Sequence, residues 1–371
     1  MTSKKMIQTL IRACVESAGQ PEIICHQSNG KSFSLLSQFH ILVTLPFGMG
    51  KSSLAKSIPN ATISLGHTLP AIAGTINKTG QLIESTLLNS ANKVFILDEA
   101  HRLDPKSVDA LLSLLEQGFY TRCLGHKVAG DVKKGDFKKH GWSVETLPTL
   151  NAFTMKVRFS CLSFGERLPS FQRGAFLSRF FPVRYSTTIE DAFNFARGTE
   201  ILGIFEDFKF KNYKKPIHFR NYTEYVDEVY ERALPFFKMF RDEEGGYMVR
   251  TCTILAKLSA HFARMRGSEE EIEKQDYLEA LKFLPIFLDN IKTAELTPQE
   301  YEIYNALEIL GLNQAQVSDL LDIPEQNVSR TVDRLKKKGF FYVTKENLKK
   351  DNNLNEVKGD EIKNGSATKQ N

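Results

Sequence analysis

Residues 39–58 read FHILVTLPFGMGKSSLAKSI, and this segment gives the clearest indication of the fold. Its first part, residues 39–45, is an apolar run rich in β-forming residues, which indicates a buried strand. A glycine-containing turn follows, and residues 51–58 have helical character. A second apolar run, KVFIL at residues 93–97, also indicates a buried strand and ends at Asp98. Buried strands that alternate with helices predict a parallel sheet covered by helices on both faces.

The turn between the first strand and its helix has the composition of a phosphate-binding loop. Gly48 and Gly50 allow backbone N–H groups to wrap closely around an anion, and the next helix adds the positive end of its dipole. Lys51 can reach the β- and γ-phosphates, and the Ser52 hydroxyl can hold Mg²⁺. The sequence therefore predicts a site for ATP and Mg²⁺. The predicted nucleotide-binding set is Pro46, Phe47, Gly48, Met49, Gly50, Lys51, Ser52, Ser53 and Asp98.

An acidic pair, Asp98-Glu99, ends the second strand and supports this interpretation. Asp98 is suited to bind Mg²⁺, largely through water, and Glu99 to orient and polarise the attacking water. The phosphate-binding motif usually opens with glycine, whereas this chain has Leu45. The alternative is a plain strand–helix connection followed by a solvated helix start. It is disfavoured because both motifs directly follow apolar strands.

Together these motifs resemble the AAA+ superfamily of ATPases over about residues 30–290. Residues 110–117 (ALLSLLEQ) resemble a helix of minichromosome maintenance (MCM) helicases and of MoxR-type ATPases. Residues 175–180 (AFLSRF) resemble the MCM arginine-finger box, and residues 249–284 resemble the MCM lid. The resemblance implies that Arg179 is a finger inserted into a neighbouring subunit's site and that Arg250 is the sensor-2 arginine. A helix cap for Arg179 and a surface salt bridge for Arg250 are the alternatives.

The chain also departs from the MCM pattern. Gly50 precedes the loop lysine, where MCM proteins normally have alanine. No sensor-1 asparagine is apparent, because the strand predicted over residues 155–162 leads into Ser163. About forty residues precede the loop, so a shortened relative without the large N-terminal single-strand-binding portion is expected.

A basic insertion, residues 118–154, interrupts the strand–helix alternation. Lys133, Lys134 and Lys138 lie there with aromatic residues interleaved. In MCM-like proteins a hairpin at this place projects into the central channel and holds DNA. Lysines would contact phosphates without sequence preference, and aromatic rings could stack on bases. A solvated surface loop is the open alternative.

A compact C-terminal unit over residues 297–345 resembles a winged helix-turn-helix. Thr297 is predicted to cap a first helix over residues 298–310, and helices over 314–321 and 325–338 follow, with a β-wing at 340–344. The polar side of the third helix would face the major groove. Its predicted DNA-contacting residues are Gln326, Asn327, Ser329, Arg330 and Arg334. Winged helices also dock proteins, so that alternative stays open.

The predicted fold class is an α/β P-loop AAA+ domain with a parallel sheet between helices, an α-helical lid and a winged-helix domain. The predicted divisions are residues 1–29 (N-terminal helix and extension), 30–185 (nucleotide-binding subdomain), 186–292 (lid), 295–345 (winged helix) and 346–371 (disordered tail). The tail is assigned because it has almost no large apolar residues.

Composition limits the setting of the protein. The 371 residues carry a net charge of +5, which is compatible with nucleic acid but also common among other proteins. Five scattered cysteines without a CxxC pair indicate reduced thiols, and neither a signal peptide nor a membrane-length apolar run is apparent. We expect a cytoplasmic protein with no membrane partner.

The sequence thus predicts an ATP-hydrolysing DNA motor, an MCM-like DNA helicase involved in DNA replication. It would act as a homo-oligomeric, hexameric ring whose active sites are shared between subunits. The predicted catalytic residues are Lys51, Glu99, Arg179 and Arg250. Two alternatives remain: an ATP-switched DNA-binding initiator or regulator, and a MoxR-like chaperone that remodels protein.

Overall fold

The computed structural model describes residues 4–45, 48, 50–64, 66–73, 75–76, 82–83, 86–123, 142–146, 151–165, 179–185, 189–197, 211–240, 246–294, 296–308, 310–337 and 340. The strands are β1 (Ile23–His26), β2 (Ser32–Leu35), β3 (Ile41–Thr44), β4 (Ala61–Ile63), β5 (Thr75–Ile76), β6 (Leu82–Ile83), β7 (Val94–Leu97), β8 (Phe119–Cys123), β9 (Trp142–Thr146), β10 (Asn151–Lys156), β11 (Ser160–Gly165), β12 (Phe181–Arg184) and β13 (Ile217–Phe219).

The α-helices are α1 (Lys4–Ser17), α2 (Lys51–Ser57), α3 (Leu69–Ala73), α4 (Pro105–Gln117), α5 (Ile189–Ala196), α6 (Tyr222–Phe240), α7 (Gly246–Met265), α8 (Lys274–Leu281), α9 (Leu284–Ala294), α10 (Pro298–Glu308), α11 (Gln314–Leu321) and α12 (Glu325–Lys337). Short 3₁₀ helices occupy Leu88–Ser90 and Ala100–Arg102. Chain contacts divide the molecule into two compact units, Met1–Glu295 and Leu296–Asn371.

A five-stranded sheet organises the first unit, in the order β12-β3-β11-β7-β4, and every neighbouring pair is parallel. Side chains alternate between its faces, as the period of a strand requires. Ile41 and Val43 pack into one core with α1, α2 and α6–α9, whereas Leu42 packs into a second core with α3 and α4. The predicted parallel sheet with helices on both faces is therefore confirmed, and it fits a P-loop α/β domain.

Two smaller sheets flank the large one. β8, β10 and β9 form a three-stranded antiparallel sheet with β10 in the centre, mostly within the predicted insertion. β1 pairs antiparallel with β2 and parallel with β13, so the beginning of the chain joins a segment almost two hundred residues later. β5 and β6 make a separate two-stranded ladder.

Helix α1 is part of the core of the first unit. Its buried face includes Ile7, Leu10 and Ile11. Near its end the buried Glu16 faces α7, where His261 Nδ1 lies 2.7 Å from its Oε2 and Arg264 Nε lies 3.8 Å from its Oε1. These contacts tie α1 to α7 through buried polar groups, which must be paired to be tolerated in an interior.

Two sequence-based expectations about secondary structure were wrong. The single strand expected over 155–162 is two strands, because β10 belongs to the three-stranded antiparallel sheet and β11 to the large sheet. Buried Val157 and Phe159 lie between them and complete the apolar pattern that suggested one strand. The region 186–292 is not helical throughout, because β13 interrupts it with a pairing partner far away in sequence.

The second unit contains three helices within the residues described. Thr297 caps α10, since its Oγ1 accepts from the Glu300 backbone N–H at 3.2 Å, as predicted. Asn313 caps α11 in the same way through Gln316, and Asp322 ends α11 in the left-handed conformation with φ 51°. The turn to α12 is therefore short. Of the predicted wing only Phe340 is described, so the wing remains a prediction.

Candidate active site

The predicted phosphate loop leaves the carboxyl end of β3. Gly48 and Gly50 adopt left-handed backbone with φ of 76° and 74°, conformations that residues with a Cβ rarely adopt. An added Cβ at Gly48 would meet nothing within 4 Å, so glycine is required there by conformation and the space beside it is open. Leu45, which replaces the usual leading glycine, is buried in the core below the loop.

Helix α2 begins at Lys51, directly after the left-handed Gly50. The Nζ of Lys51 is buried, whereas Ser52 and Ser53 are exposed at the start of the helix. The remaining predicted contacts, Pro46, Phe47 and Met49, lie outside the described residues.

The acidic pair leaves the carboxyl end of β7. The Asp98 carboxylate accepts a hydrogen bond from the Glu99 backbone N–H at 3.0 Å, and His67 Nε2 lies 2.7 Å from the Asp98 carbonyl oxygen. Glu99 has φ 53° and ψ 50°, a left-handed conformation that costs a residue with a side chain about 1 kcal/mol or more. Its carboxylate lies 2.7 Å from Arg102 Nε. Strained backbone at an acidic residue marks this turn as a candidate functional position.

Both motifs lie at the carboxyl ends of the strands, a side of the sheet that we call the carboxyl edge. β11 pairs with β3 on one side and β7 on the other, and Ser163 is level with both Leu42 and Leu97. Two strand spacings place the loop and the acidic pair roughly 10 Å apart. A nucleotide with Mg²⁺ requires open left-handed backbone, an ammonium, exposed hydroxyls and carboxylates. The loop and the acidic pair supply this set, so these residues fit ATP and Mg²⁺.

The other two predicted catalytic residues converge elsewhere, on Glu116 in the last turn of α4. Its Oε2 accepts from Arg179 and its Oε1 from Arg250, so each carboxylate oxygen holds one guanidinium. All three side chains are partly buried, with exposures of 30% for Glu116, 17% for Arg179 and 31% for Arg250. We call these three residues the arginine cluster.

The arginine cluster lies on the opposite side, at the amino ends of the strands, which we call the amino edge. His40 precedes β3, and its carbonyl accepts from the Phe181 N–H at 2.8 Å, which places Arg179 just before the start of β12. The His40 ring lies 3.3 Å from the Leu115 carbonyl, next to Glu116. Five extended residues separate His40 from Leu45, or roughly 16 Å. The sheet thus separates Lys51 and Glu99 from Arg179 and Arg250.

Charged groups behind the arginine cluster respond to burial and to one another. Burial would raise the pKa of Glu116, but the Arg250 and Arg179 guanidiniums outweigh it, and the net pKa is lowered. Burial, aided by Arg250, lowers the pKa of Lys257 to about 8, against a smaller opposing effect of Glu116. Lys257 Nζ donates to the Gln38 carbonyl at 2.9 Å. Burial and nearby Lys257 also lower the pKa of His40 well below its usual value.

Two residues near these motifs were not predicted from the sequence. Glu116 lies inside the quoted helix ALLSLLEQ, where a carboxylate after an apolar run was the available signal. His67, which contacts the Asp98 carbonyl, follows β4 and carried no signal. Ser163, considered for sensor 1, is buried within β11 and does not follow that strand.

The predicted DNA contacts fall in two places. Lys133, Lys134 and Lys138 lie outside the described residues. On α12, four of the five predicted residues are exposed and Ser329 is half-buried. Arg330 and Arg334 line an open depression beside α10 that Lys337 also borders. Spacings of four and three residues put these three cations on one helix face.

Comparisons with known proteins find a partial relative. A segment of 84 residues is 39% identical to the Holliday junction branch migration complex subunit RuvB of Oenococcus oeni, covering 22% of this chain and 23% of that protein. The chain therefore spans about a quarter of the length of this relative. No family model matches the chain. Among the described helices, none combines the length and apolar character that crossing a membrane demands.

Proposed function

We propose that this protein is an ATP-hydrolysing AAA+ subunit that acts on DNA in a ring, with each active site completed by a neighbouring subunit. The observation that carries the proposal is the division of the predicted catalytic residues between the two edges of one sheet. Roughly 16 Å of extended backbone, from His40 to Leu45, separates the level of the arginine cluster from the phosphate loop of its own chain. In a head-to-tail ring the amino edge of one subunit can face the carboxyl edge of the next.

Within such a site each residue has a defined role. The backbone of the loop and Lys51 bind the phosphates, while Ser52 and Asp98 hold Mg²⁺. Glu99 orients the attacking water, and Arg179 with Arg250 of the adjacent subunit stabilises charge that develops in the transition state. ATP with Mg²⁺ supplies the transferred phosphoryl group.

A mixing experiment tests the shared site. Lys51→Ala and Arg179→Ala subunits should each be inactive alone. Mixed, about one interface in four combines an intact loop with an intact arginine, so part of the ATPase activity should return. A mixture as inactive as its components would overturn the shared site, provided both variants still form the same oligomer by light scattering.

DNA as the substrate is supported by the partial likeness to RuvB, whose name describes branch migration of Holliday junctions, and by the cationic face of α12. The first measurement is ATPase activity with and without single-stranded DNA, for which we expect stimulation. An unstimulated ATPase would favour the protein-remodelling alternative. The double variant Arg330→Ala/Arg334→Ala should bind DNA more weakly and with a smaller salt dependence than Arg232→Ala, a control in the first unit.

The proposed motor is an MCM-like helicase. ATP-dependent unwinding of a forked duplex, compared with migration of a four-way junction, separates helicase from branch-migration activity, with Lys51→Ala as the inactive control. Site-specific DNA binding with no movement on either substrate would instead identify an initiator or regulator.

A further inference from the structure

Glu116 bridges the two arginines, because its carboxylate accepts a hydrogen bond from each. It lies at the end of α4, which Gly118 terminates in left-handed conformation with its N–H on the Leu114 carbonyl. This termination fixes the direction of the last helical turn. The two oxygens of Glu116 then point to two different partners, Arg179 from the start of β12 and Arg250 from α7.

The charges explain why a carboxylate is needed here. Two guanidinium groups held close together repel each other, and Lys257 adds a further positive charge when it is protonated. Hydrogen bonds to a shared carboxylate are charge-assisted and directional, so they offset this repulsion and restrict the rotamers of both arginines. One positive charge remains on the arginine cluster, which suits contact with a phosphate anion.

We propose that Glu116 is a positioning residue that holds Arg179 and Arg250 as a pair and presents both together to the nucleotide of the neighbouring subunit. The inference rests on the proposed function, because it assumes that the two arginines act on that nucleotide. Glu116 itself would touch no nucleotide. Its influence on hydrolysis passes through the guanidiniums alone.

The first test separates turnover from nucleotide binding. Glu116→Ala should lower kcat roughly tenfold to a hundredfold, because a small misplacement of catalytic groups has an effect of that size. The dissociation constant of a fluorescent ATP analogue should stay unchanged, since the phosphate loop lies at the other edge. Glu116→Asp keeps the charge and should recover part of kcat, more than Glu116→Gln does. Glu228→Ala, which removes an ion-paired glutamate of α6, is the matched control.

The second test locates the defect on one side of the interface. Glu116→Ala mixed with Lys51→Ala should regain activity, because the Lys51→Ala subunits still present an intact arginine pair. Glu116→Ala mixed with Arg179→Ala should regain none, because both changes damage the same side. A variant that merely unfolds would regain activity with neither partner and would lose nucleotide binding as well.

The outcomes distinguish this inference from the proposed function. If Arg179→Ala and Lys51→Ala complement each other but Glu116→Ala has wild-type kcat, or a raised kcat, the positioning role is wrong and the shared site stands. If Glu116→Ala is restored by Arg179→Ala, the role is also wrong. If Arg179→Ala and Lys51→Ala do not complement each other, the proposed shared site is wrong, whatever the result for Glu116→Ala.

Discussion

The carboxyl edge and the amino edge of the large sheet differ in the chemical groups that they carry and in the contacts that hold those groups. The carboxyl edge carries open left-handed turns at Gly50 and Glu99, with exposed hydroxyls nearby. The amino edge carries the arginine cluster, held by a helix end and backed by Lys257. The carboxyl edge thus offers open backbone and exposed polar groups, whereas the amino edge presents cations that are already held in place.

The predicted catalytic groups of one site therefore need not be adjacent within one chain. A parallel sheet sends all its loops of one kind to one edge, so residues before strands and residues after strands cannot meet. In the proposed shared site, catalysis draws the two kinds from two copies arranged head to tail. Variants at each edge should therefore fall into two complementing groups.

The largest effect is expected at the amino edge. Arg179→Ala should lower kcat about a thousandfold, since a finger arginine stabilises the charge of the transferring phosphoryl group. Nucleotide affinity should change less than kcat, because the phosphate loop and Lys51 stay intact and the arginine acts mainly on charge that develops in the transition state. Steady-state ATPase and equilibrium binding measure the two quantities, with Arg232→Ala as the control. An ATPase rate within twofold of wild type would contradict the comparison between the edges.

A smaller effect is expected at the carboxyl edge. Glu99→Gln should lower kcat about a hundredfold by removing the group that polarises water, while ATP stays bound. Mixed with Arg179→Ala it should regain activity, and mixed with Lys51→Ala it should regain none. The reverse pattern would show that Glu99 belongs with the amino edge.

Lys257 allows the amino edge to be probed by pH. Its pKa of about 8 in the folded protein lies below the ordinary lysine value of 10.5, so the folded state binds fewer protons between these values. The free energy of unfolding of wild type, relative to Lys257→Met, should rise between pH 8 and pH 10 by about 2 kcal/mol. Urea titrations at several pH values measure it. A difference independent of pH would mean that Lys257 keeps an ordinary pKa.

The smallest effect concerns Arg102, which pairs with Glu99 but is 62% exposed. Exposed ion pairs contribute less than about 1 kcal/mol, so Arg102→Ala should change kcat by about fivefold or less. A loss as large as that of Glu99→Gln would place Arg102 within the reacting site and extend the carboxyl edge by one residue.

Local sequence signals predicted a large part of this fold. The apolar runs at 39–45 and 93–97 contain β3 and β7, because buried parallel strands are apolar along their whole length. Cap chemistry located α10, since Thr297 satisfies an N–H group within three residues of itself. Such signals are read within one turn or one strand.

Features that depend on distant partners could not be predicted in this way. Strand β13 has three residues and exists because Ile217 pairs with Ile23, a register that no local periodicity encodes. Glu116 is an ordinary helical glutamate in sequence, and its importance arises only where two arginines from separate elements converge. The resemblance supplied Arg179 and Arg250 but not the group that holds them.

The contact between Glu16 and His261 also has a consequence for biosynthesis. These residues are 245 positions apart. At about 5–20 residues per second on a ribosome, roughly ten seconds to a minute separates their synthesis. During that interval α7 is absent, so the part of α1 that packs against it stays uncovered even after the strands of the large sheet have been made. The nascent chain should therefore present α1 to chaperones until translation passes the second half of the first unit.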